Sequence, residues 1–205
     1  MNRMTELKEP IDQRLAKGAR ARATIARRAA ELASVDGLEG LSIGKLATDL
    51  GVSKSGIATL FGSKEALQLA AVQTGRDVFI ERVIVPALGV PRGMERLRAL
   101  MERWFAHIDE SPFPGGCFRE ATLSEFSSRP GAVRDAIVAD HDDWLAFLTG
   151  EVRKAQELGA LVDTDADLLV FELDALFAAA NIARQIDDSA RVAAARKIVA
   201  KLLAE

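Results

Sequence analysis

Residues 42–61, SIGKLATDLGVSKSGIATLF, constrain the fold more than any other part of the chain. Ser42 and Ser53 each stand where a side chain can cap the start of a short helix. Ala47 is small enough to let two helices cross closely, and Gly51, four residues later, accepts the positive φ that a tight turn requires. Apolar residues at helical spacing supply a small shared core: Leu46, Leu50, Val52, Ile57 and Leu60. The segment therefore predicts a helix-turn-helix.

The remainder of the 205 residues is predicted to be helical as well. Ala, Leu, Arg and Glu dominate, and alternating Val/Ile/Thr runs and Asn-Gly hairpins are missing from the sequence. Glycine and proline breakers divide the chain into about nine helices. We expect a frayed arm over 1–18, a first helix over about 20–35, and helices capped by Ser42, Ser53 and Ser63, the last of which ends or kinks near Pro86. Further helices are expected over about 92–109, 118–128, 131–158, 163–188 and 190–204.

Charge is divided unevenly along the chain. The net charge is −3, but residues 1–75 carry 11 Lys and Arg against 8 Asp and Glu, whereas the rest carries 16 against 22. No acidic residue lies between Asp12 and Glu31, where six basic residues are found. A basic end on an acidic body favours a polyanion as the partner of that end. A solvated helix face would give the same pattern.

Several classes of function are disfavoured. No apolar run is long enough to span a bilayer, and the N-terminus lacks the apolar stretch of a secretory signal, so we expect a cytoplasmic protein without a membrane partner. Cys117 with His107 or His141 suggests a thiol nucleophile. However, Cys117 follows two glycines in a turn, and a free cysteine usually packs as a small apolar residue. With no phosphate loop or metal-ligand spacing, we expect neither an enzyme nor a cofactor or metal.

Residues 22–67 resemble the DNA-binding domain of the tetracycline-repressor (TetR-type) family. The matching features are Arg22 and Ile25 at the start of the first helix, AAEL at 29–32, Gly37, Ser42, Ala47, GVSK at 51–54 and FGSKExL at 61–67. Weaker likeness extends to GGCFREA at 115–121, RPG at 129–131 and FELDALFAAANIA at 171–183. The resemblance implies an all-α fold with an N-terminal arm and helix-turn-helix DNA-binding domain over 1–66 and a helical effector-binding and dimerisation domain over 67–205. It also implies three partners, which are double-stranded operator DNA, a second copy of the chain, and a small-molecule effector of unknown identity.

The third helix should enter the major groove of DNA. Its expected base-facing residues are Ser53, Lys54, Ser55, Gly56 and Thr59, and the expected phosphate contacts are Arg20, Arg22, Thr24, Ser42 and Lys64. The aromatic residue that typically touches a phosphate in the family is replaced by Ala58. The third helix offers no Asn, Gln or Arg for bidentate base contacts, so we expect DNA shape to carry much of the specificity.

The body is expected to hold a ligand pocket and a dimer interface. Residues 168–183 are apolar almost all round, which predicts burial on more than one side. The predicted dimer interface consists of Ala175, Ala178, Ala179, Ala183, Val192, Ala195, Val199 and Leu202. The predicted pocket is lined by Phe79, Met101, Trp104, Phe105, Ile108, Phe118, Trp144, Phe147, Phe171 and Phe177, with Asn181 as its polar group. Plain core packing, or a buried helix in a monomer, would give the same patterns.

These expectations combine into a repressor that a small apolar ligand releases from its operator. Release requires that the ligand bind more tightly to a state in which the two DNA-binding domains of the dimer (the reading heads, residues 1–66 of each chain) fit DNA poorly. The alternative, suggested by Ala58, is a dimeric helical ligand-binding protein that has lost specific DNA binding.

Overall fold

Nine helices and no strand are found over residues 8–204, which are the residues that the computed structural model describes. The first four are α1 (Lys8–Asp36), α2 (Ile43–Leu50), α3 (Lys54–Phe61) and α4, which runs from Lys64–Phe79 through Ile80–Ile84 to Val85–Ala87. The others are α5 (Met94–Glu110), α6 (Phe118–Phe126), α7 (Ala132–Glu157), α8 (Ala166–Gln185) and α9 (Ser189–Leu202). The all-α prediction is confirmed.

The first helix is longer than predicted. The expectation of a frayed arm is wrong for residues 8–18, because α1 begins at Lys8. This stretch is rich in residues of high helix propensity, and α1 continues it into the apolar segment that packs on α4. The first seven residues of the predicted arm lie outside the described residues.

The helix-turn-helix forms as its sequence predicts, except that Val52, expected in the small core, is 43 % exposed. The hydroxyls of Ser42, Ser53 and Ser63 accept hydrogen bonds from backbone N–H groups in the first turns of α2, α3 and α4. Gly51 ends α2 in the left-handed region with φ 64°, where a side chain would be strained. The adjoining Val52 N–H donates to the carbonyl of Ala47 at 3.0 Å, which closes the turn. Local chemistry therefore fixes the angle between α2 and α3.

A π-helical turn interrupts α4 at Ile80–Ile84, where the Val85 N–H donates to the carbonyl of Ile80, five residues back. Pro86 explains its place, because proline has no N–H for the carbonyl of Arg82 and its ring crowds that carbonyl. The wider turn lets the helix continue to Ala87. The irregularity expected near Pro86 is thus confirmed, although it lies before the proline.

Two apolar cores share α4. The first joins α1–α3 to the start of α4 and also takes in side chains of the body, including Phe113, Phe118 and Phe126. The second is formed by the end of α4 with α5, α7, α8 and α9. Because the first core extends across residue 67, the helix-turn-helix is packed against the body rather than joined to it by a linker. The division into 1–66 and 67–205 stays a prediction.

The last two helices pack against each other and turn a different side outward from the one predicted. Ala183, Val192, Ala195 and Val199, placed in the dimer interface from sequence, are all less than 10 % exposed and belong to the chain's own second core. Leu202 packs at the edge of that core. For Ala183, Val192, Ala195 and Val199 the prediction is wrong, because these side chains fill the core of their own chain. Ala175 and Ala179 are exposed, and Ala178 is half-buried.

Candidate nucleic-acid interface and ligand cleft

Helix α3 turns a polar face outward. The five predicted base-facing residues and Ala58 are all exposed, whereas Ile57 and Phe61 anchor the other face in the first core. The hydroxyl of Thr59 donates to the carbonyl of Ser55 at 2.8 Å, so its oxygen lone pairs remain available as acceptors. Such an acceptor suits the exocyclic amino groups of adenine and cytosine in the major groove. The arrangement brings the predicted reading residues together on one surface.

Gly56 lies in the middle of that surface. A Cβ there would meet only the hydroxyl oxygen of Ser53, at 3.1 Å. No neighbouring helix therefore packs so closely that this position must be a glycine. Glycine costs about 1 kcal/mol in a helix relative to alanine. The outward face of α3 at Gly56 is consequently open to a close approach by a partner.

Arg22 has an intramolecular role that the sequence did not reveal. Its Nη1 donates to the carbonyl of Leu60, and its guanidinium carbon lies 4.2 Å from the centre of the Phe61 ring. Arg22 therefore holds the end of α3 against α1. Arg28 does the same for α2, because its Nε and Nη2 donate to the Asp49 carboxylate at 2.5 and 2.9 Å. The Arg28 guanidinium lowers the pKa of that carboxyl.

The other predicted phosphate contacts lie around the same face. Arg20 is exposed, and its carbonyl accepts the hydroxyl of Thr24 at 3.0 Å. The ammonium of Lys64, at the first turn of α4, donates to the carbonyl of Glu39 at 2.6 Å. Lys64 thus ties α4 to the loop before α2 while remaining 42 % exposed. Lys54 lies across Gly44, close to the cap Ser42.

Three hydrogen-bonded contacts lock the helix-turn-helix to the body. The carboxylate of Glu125, on α6, accepts the N–H groups of Leu38 and Glu39 at 2.8 and 2.9 Å. The Gly115 N–H donates to the hydroxyl of Ser34, on α1, at 3.0 Å. The third contact joins Arg27 Nη2 to the carbonyl of Pro112 at 2.7 Å. Sequence offers no signal for these pairs, whose members lie more than 80 residues apart.

The turn between α5 and α6 extends this connection to α8. Asn181 is buried, and its Oδ1 accepts the N–H of Cys117 at 3.1 Å. A Cβ on Gly116 would lie 2.1 Å from the side-chain nitrogen of Gln185, so the turn packs tightly on α8. The polar group predicted for a ligand thus bonds to the chain's own backbone. A continuous set of contacts runs from α8 through residues 112–117 to α1.

Most of the predicted pocket residues come together as an aromatic cluster in the second core. Phe79 makes edge contacts with Trp144 and His107, at centroid distances of 5.0 and 5.5 Å. Trp104 stacks on Phe177 at 4.1 Å. Met101, Phe105 and Ile108 are also buried in this core. Met101 and Phe105 border a surface groove between α5 and α9.

Two predicted pocket residues lie elsewhere. Phe118 packs on Phe113 in the first core, at a centroid distance of 5.6 Å. Phe171 is 71 % exposed on the outer face of α8. Their inclusion in the pocket is wrong: Phe118 fills the other core, and Phe171 lies on a helix that is apolar on nearly every side, which does not reveal which side faces inward.

An open cleft of about 330 Å³ lies between α4 and α7 beside this cluster. Phe79, Trp144 and Phe147 line it together with Ile80 and Ile84. Its polar lining consists of Arg76, Arg119, Asp140 and Asp143. The cleft has the size and the mixed lining of a small-molecule site.

The buried titratable groups argue against thiol chemistry. Burial raises the pKa of Cys117 to about 12. Burial lowers the pKa of His107 to about 4, and the nearby Arg82 and Arg119 add to this effect. A thiol that keeps its proton is a poor nucleophile, and an imidazole of such low pKa is a poor base to activate it. Among the described residues no cluster of His, Cys, Asp and Glu could hold a metal ion, and no helix is long and apolar enough to cross a membrane.

An exposed helix in a helix-turn-helix, backed by a helical body with a ligand-sized cleft, defines a DNA-binding transcriptional regulator rather than an enzyme. Two family models agree with this class. Residues 25–71 match the bacterial regulatory proteins of the tetR family, and residues 93–199 match the tetracyclin repressor-like C-terminal domain. The chain belongs to the TetR family of transcriptional regulators. No curated protein matches the chain.

Solved structures of regulators have a similar fold. A TetR transcriptional regulator from Chloroflexus aurantiacus J-10-FL is 25% identical with a TM-score of 0.80, over 91% of this chain and 95% of that one. A putative regulator from Saccharomonospora viridis in complex with choline is 23% identical with a TM-score of 0.76, over 90% and 96%. AibR, in complex with isovaleryl coenzyme A and operator DNA, is 25% identical with a TM-score of 0.65, over 77% and 84%.

Proposed function

We propose that this protein is a cytoplasmic, dimeric repressor that binds operator DNA through α3 and is released by a small molecule bound in its body. The observation that carries the proposal is the outward polar face of α3, which Arg22 holds on α1 while Arg28 holds α2 there. The basic N-terminal region supports it, because phosphate neutralisation supplies most of the affinity of such proteins for DNA. AibR, which was solved with both operator DNA and an acyl-coenzyme A, supports the pairing of the two activities.

The outer face of α8 supports dimerisation. Large apolar side chains are exposed along one stripe of α8 and continue onto α9: Leu168, Phe171, Ile182, Ile186 and Ile198. Ala175 and Ala179 lie between them and would let a partner helix come close. An exposed apolar stripe of this length is uncommon on a monomer. We propose it as the dimer interface, in place of the buried residues of α9, and a two-fold axis there would present two copies of α3 to two half-sites.

The contacts between body and reading head support coupling of ligand and DNA. Helix α4 begins directly after α3, lines the cleft at Phe79 and Ile80, and contributes to both cores. A ligand that moves the second half of α4 would also move its first turn, and with it the spacing of the two reading heads. The ligand releases DNA only if it binds the moved state more tightly.

The proposal is tested by fluorescence anisotropy with labelled duplexes tiled across the DNA upstream of the protein's own gene. We expect one duplex to bind far more tightly than the others, and a Thr59→Ala variant to narrow that difference. Equal affinity for all of the duplexes at low salt would contradict specific binding. Absence of any binding would favour the second candidate, a ligand-binding dimer without DNA specificity, to which the exposed Ala58 points.

A further inference from the structure

The cleft between α4 and α7 has an apolar floor and a charged end. Phe79 and Trp144 are buried side chains of that floor, and Phe147 borders it. At the other end Arg76 and Arg119 meet Asp140, whose two carboxylate oxygens accept from Arg76 Nη1 at 2.8 Å and Arg119 Nε at 2.6 Å. A ligand that fills the cleft must therefore combine an apolar part with a group that suits this end.

The free hydrogen-bond donors at this end decide which group that is. Both oxygens of Asp140 are already engaged by arginines, and Asp143 accepts from Arg76 Nη2 at 2.8 Å. Arg119 also donates through Nη2 to the carbonyl of Asp140, while its Nη1 has no hydrogen-bond partner among the described residues. Both arginines keep free N–H donors that face the cleft's charged end, whereas both oxygens of Asp140, the carboxylate that lies between them, already accept from a guanidinium.

The aromatic floor is closed to a cation as well. The guanidinium carbon of Arg119 lies 4.3 Å from the centre of the Phe79 ring and 5.9 Å from that of Trp144. This guanidinium occupies the ring faces that would otherwise attract an ammonium group, and it repels a second positive charge. An anion gains from the same placement, because a guanidinium binds a carboxylate through two parallel hydrogen bonds.

We infer that this cleft binds an apolar carboxylic acid, whose chain lies on the partly exposed Phe147, Ile80 and Ile84 and whose carboxylate is held by Arg119 and Arg76. The inference rests on the proposed function, in which the body is the effector domain, and it names the class of effector. It replaces the purely apolar ligand expected from sequence with an amphipathic anion.

The same residues supply a mechanism of release. Arg76 is on α4, whereas Asp140 and Asp143 are on α7, so their two ion pairs join the helix of the reading head to the body. A ligand carboxylate competes with Asp140 and Asp143 for Arg76. Binding therefore loosens α4 from α7 at the place where a shift is transmitted toward α3.

The test uses Trp144 as the reporter, with octanoate, octanol and octyltrimethylammonium as probes of equal chain length. We expect octanoate to change the tryptophan fluorescence in a saturable way, octanol to bind at least about tenfold more weakly because it lacks the ionic hydrogen bonds, and the ammonium not to bind. A Trp144→Phe variant, which keeps only the buried Trp104, should lose the signal. This control shows that the signal reports the cleft.

Substitution of the arginines distinguishes the contribution of the ligand's carboxylate to binding from that of its alkyl chain. Arg119→Gln should weaken octanoate by about ten- to hundredfold and leave octanol unchanged, and Arg119→Lys should restore part of the loss. If Arg119→Gln does not fold, the more exposed Arg76→Gln carries the same expectation. Arg134→Gln, on α7 but outside the cleft, is the matched control and should bind all probes as the unchanged protein does.

Equal binding of octanoate and octanol, tighter binding of the ammonium, or octanoate binding that ignores both arginines would overturn the inference. Operator binding is measured separately on the same samples. Arginine-dependent octanoate binding without DNA binding would keep the ligand class and reject the repressor. DNA binding that octanoate does not weaken, with no change in tryptophan fluorescence, would reject the ligand class alone.

Discussion

Gly115 packs directly on the backbone of α1, and its substitution by alanine tests how rigidly the body and α1 are joined. A Cβ at this position would lie 1.8 Å from the carbonyl oxygen of Ser34 and 3.1 Å from the backbone nitrogen of Val35. Both atoms belong to the backbone of α1, which cannot turn aside as a flexible side chain can. The turn must therefore move away from α1, and the hydrogen bond from the Gly115 N–H to the Ser34 hydroxyl is lost with it.

The cost follows from these two effects. Overpacking of a well-packed contact typically costs about 1–3 kcal/mol. The lost hydrogen bond adds about 1 kcal/mol. A loss of about 2–4 kcal/mol lowers the melting temperature of a chain of this size by about 5–15 °C.

The measurement is thermal unfolding followed by circular dichroism, with Gly150→Ala as the matched control. Gly150 lies inside α7, and a Cβ there would meet only a guanidinium nitrogen of Arg92, at 3.8 Å. Because alanine is the better helix former, this control should gain about 0.5–1 kcal/mol and melt a few degrees higher. If Gly115→Ala melts at or above the temperature of the unchanged protein, the tight junction described here is refuted.

Three further predictions concern DNA, dimerisation and pH. Operator affinity should fall with salt at a log–log slope of about −0.9 for each phosphate neutralised. Lys64→Ala should weaken binding to all duplexes alike, whereas Thr59→Ala should mainly relax the preference for particular bases. Equal effects of the two substitutions would contradict their assigned roles. Phe171→Glu should give a monomer in sedimentation at micromolar concentration, since it puts a charge on the exposed apolar stripe, whereas Arg191→Glu, at an exposed position on α9, should stay dimeric. Burial, together with Asp174, raises the pKa of Glu120 to about 7 from an ordinary value of 4.5. The folded chain therefore holds this proton more tightly than the unfolded chain, and the contribution to stability is lost as the pH rises from about 4.5 to 7. Relative to the unchanged protein, Glu120→Gln should gain about 1–3 kcal/mol of unfolding free energy between pH 5 and pH 8, measured by urea titration; parallel pH curves would count against the buried proton.

His107 acts on the same pH range with the opposite sign. Its pKa is lowered to about 4 by burial and by the nearby Arg82 and Arg119. Between pH 6.5 and 4 the imidazole is therefore protonated in the unfolded chain but neutral in the folded chain. Stability is therefore lost as the pH falls from about 6.5 to 4. The contribution of His107 is present in both proteins, so it cancels when Glu120→Gln is compared with the unchanged protein.

Local features of the helix-turn-helix could be predicted from sequence because they depend on neighbours along the chain. Ser42, Ser53 and Ser63 cap helices through hydrogen bonds to N–H groups three residues on, and Gly51 needs only its own backbone freedom. The exposed face of α3 follows as well, because Ile57 and Phe61 are spaced by one helical turn. For the same reason the helix boundaries in the body were close to those observed.

The facing of α8 and α9 required the tertiary structure. Phe171 and Phe177 lie on one apolar helix, yet Phe171 is exposed and Phe177 is buried against Trp104. Hydrophobic periodicity identifies an inner face only where a polar face contrasts with it, and α8 has little such contrast. The stripe of α9 did show periodicity, but periodicity does not say whether the partner that covers it is the same chain or another.

The ion pairs and hydrogen bonds between distant residues also required the tertiary structure. Arg22 with Leu60, Glu125 with Leu38 and Arg76 with Asp140 join residues 38, 87 and 64 positions apart. The sequence determined that this chain forms helices, a tight turn and an outward reading helix, because those depend on interactions within a few residues. Only the tertiary structure decided which apolar face remains exposed and which charges line the cleft, because burial and distant pairs arise when helices pack.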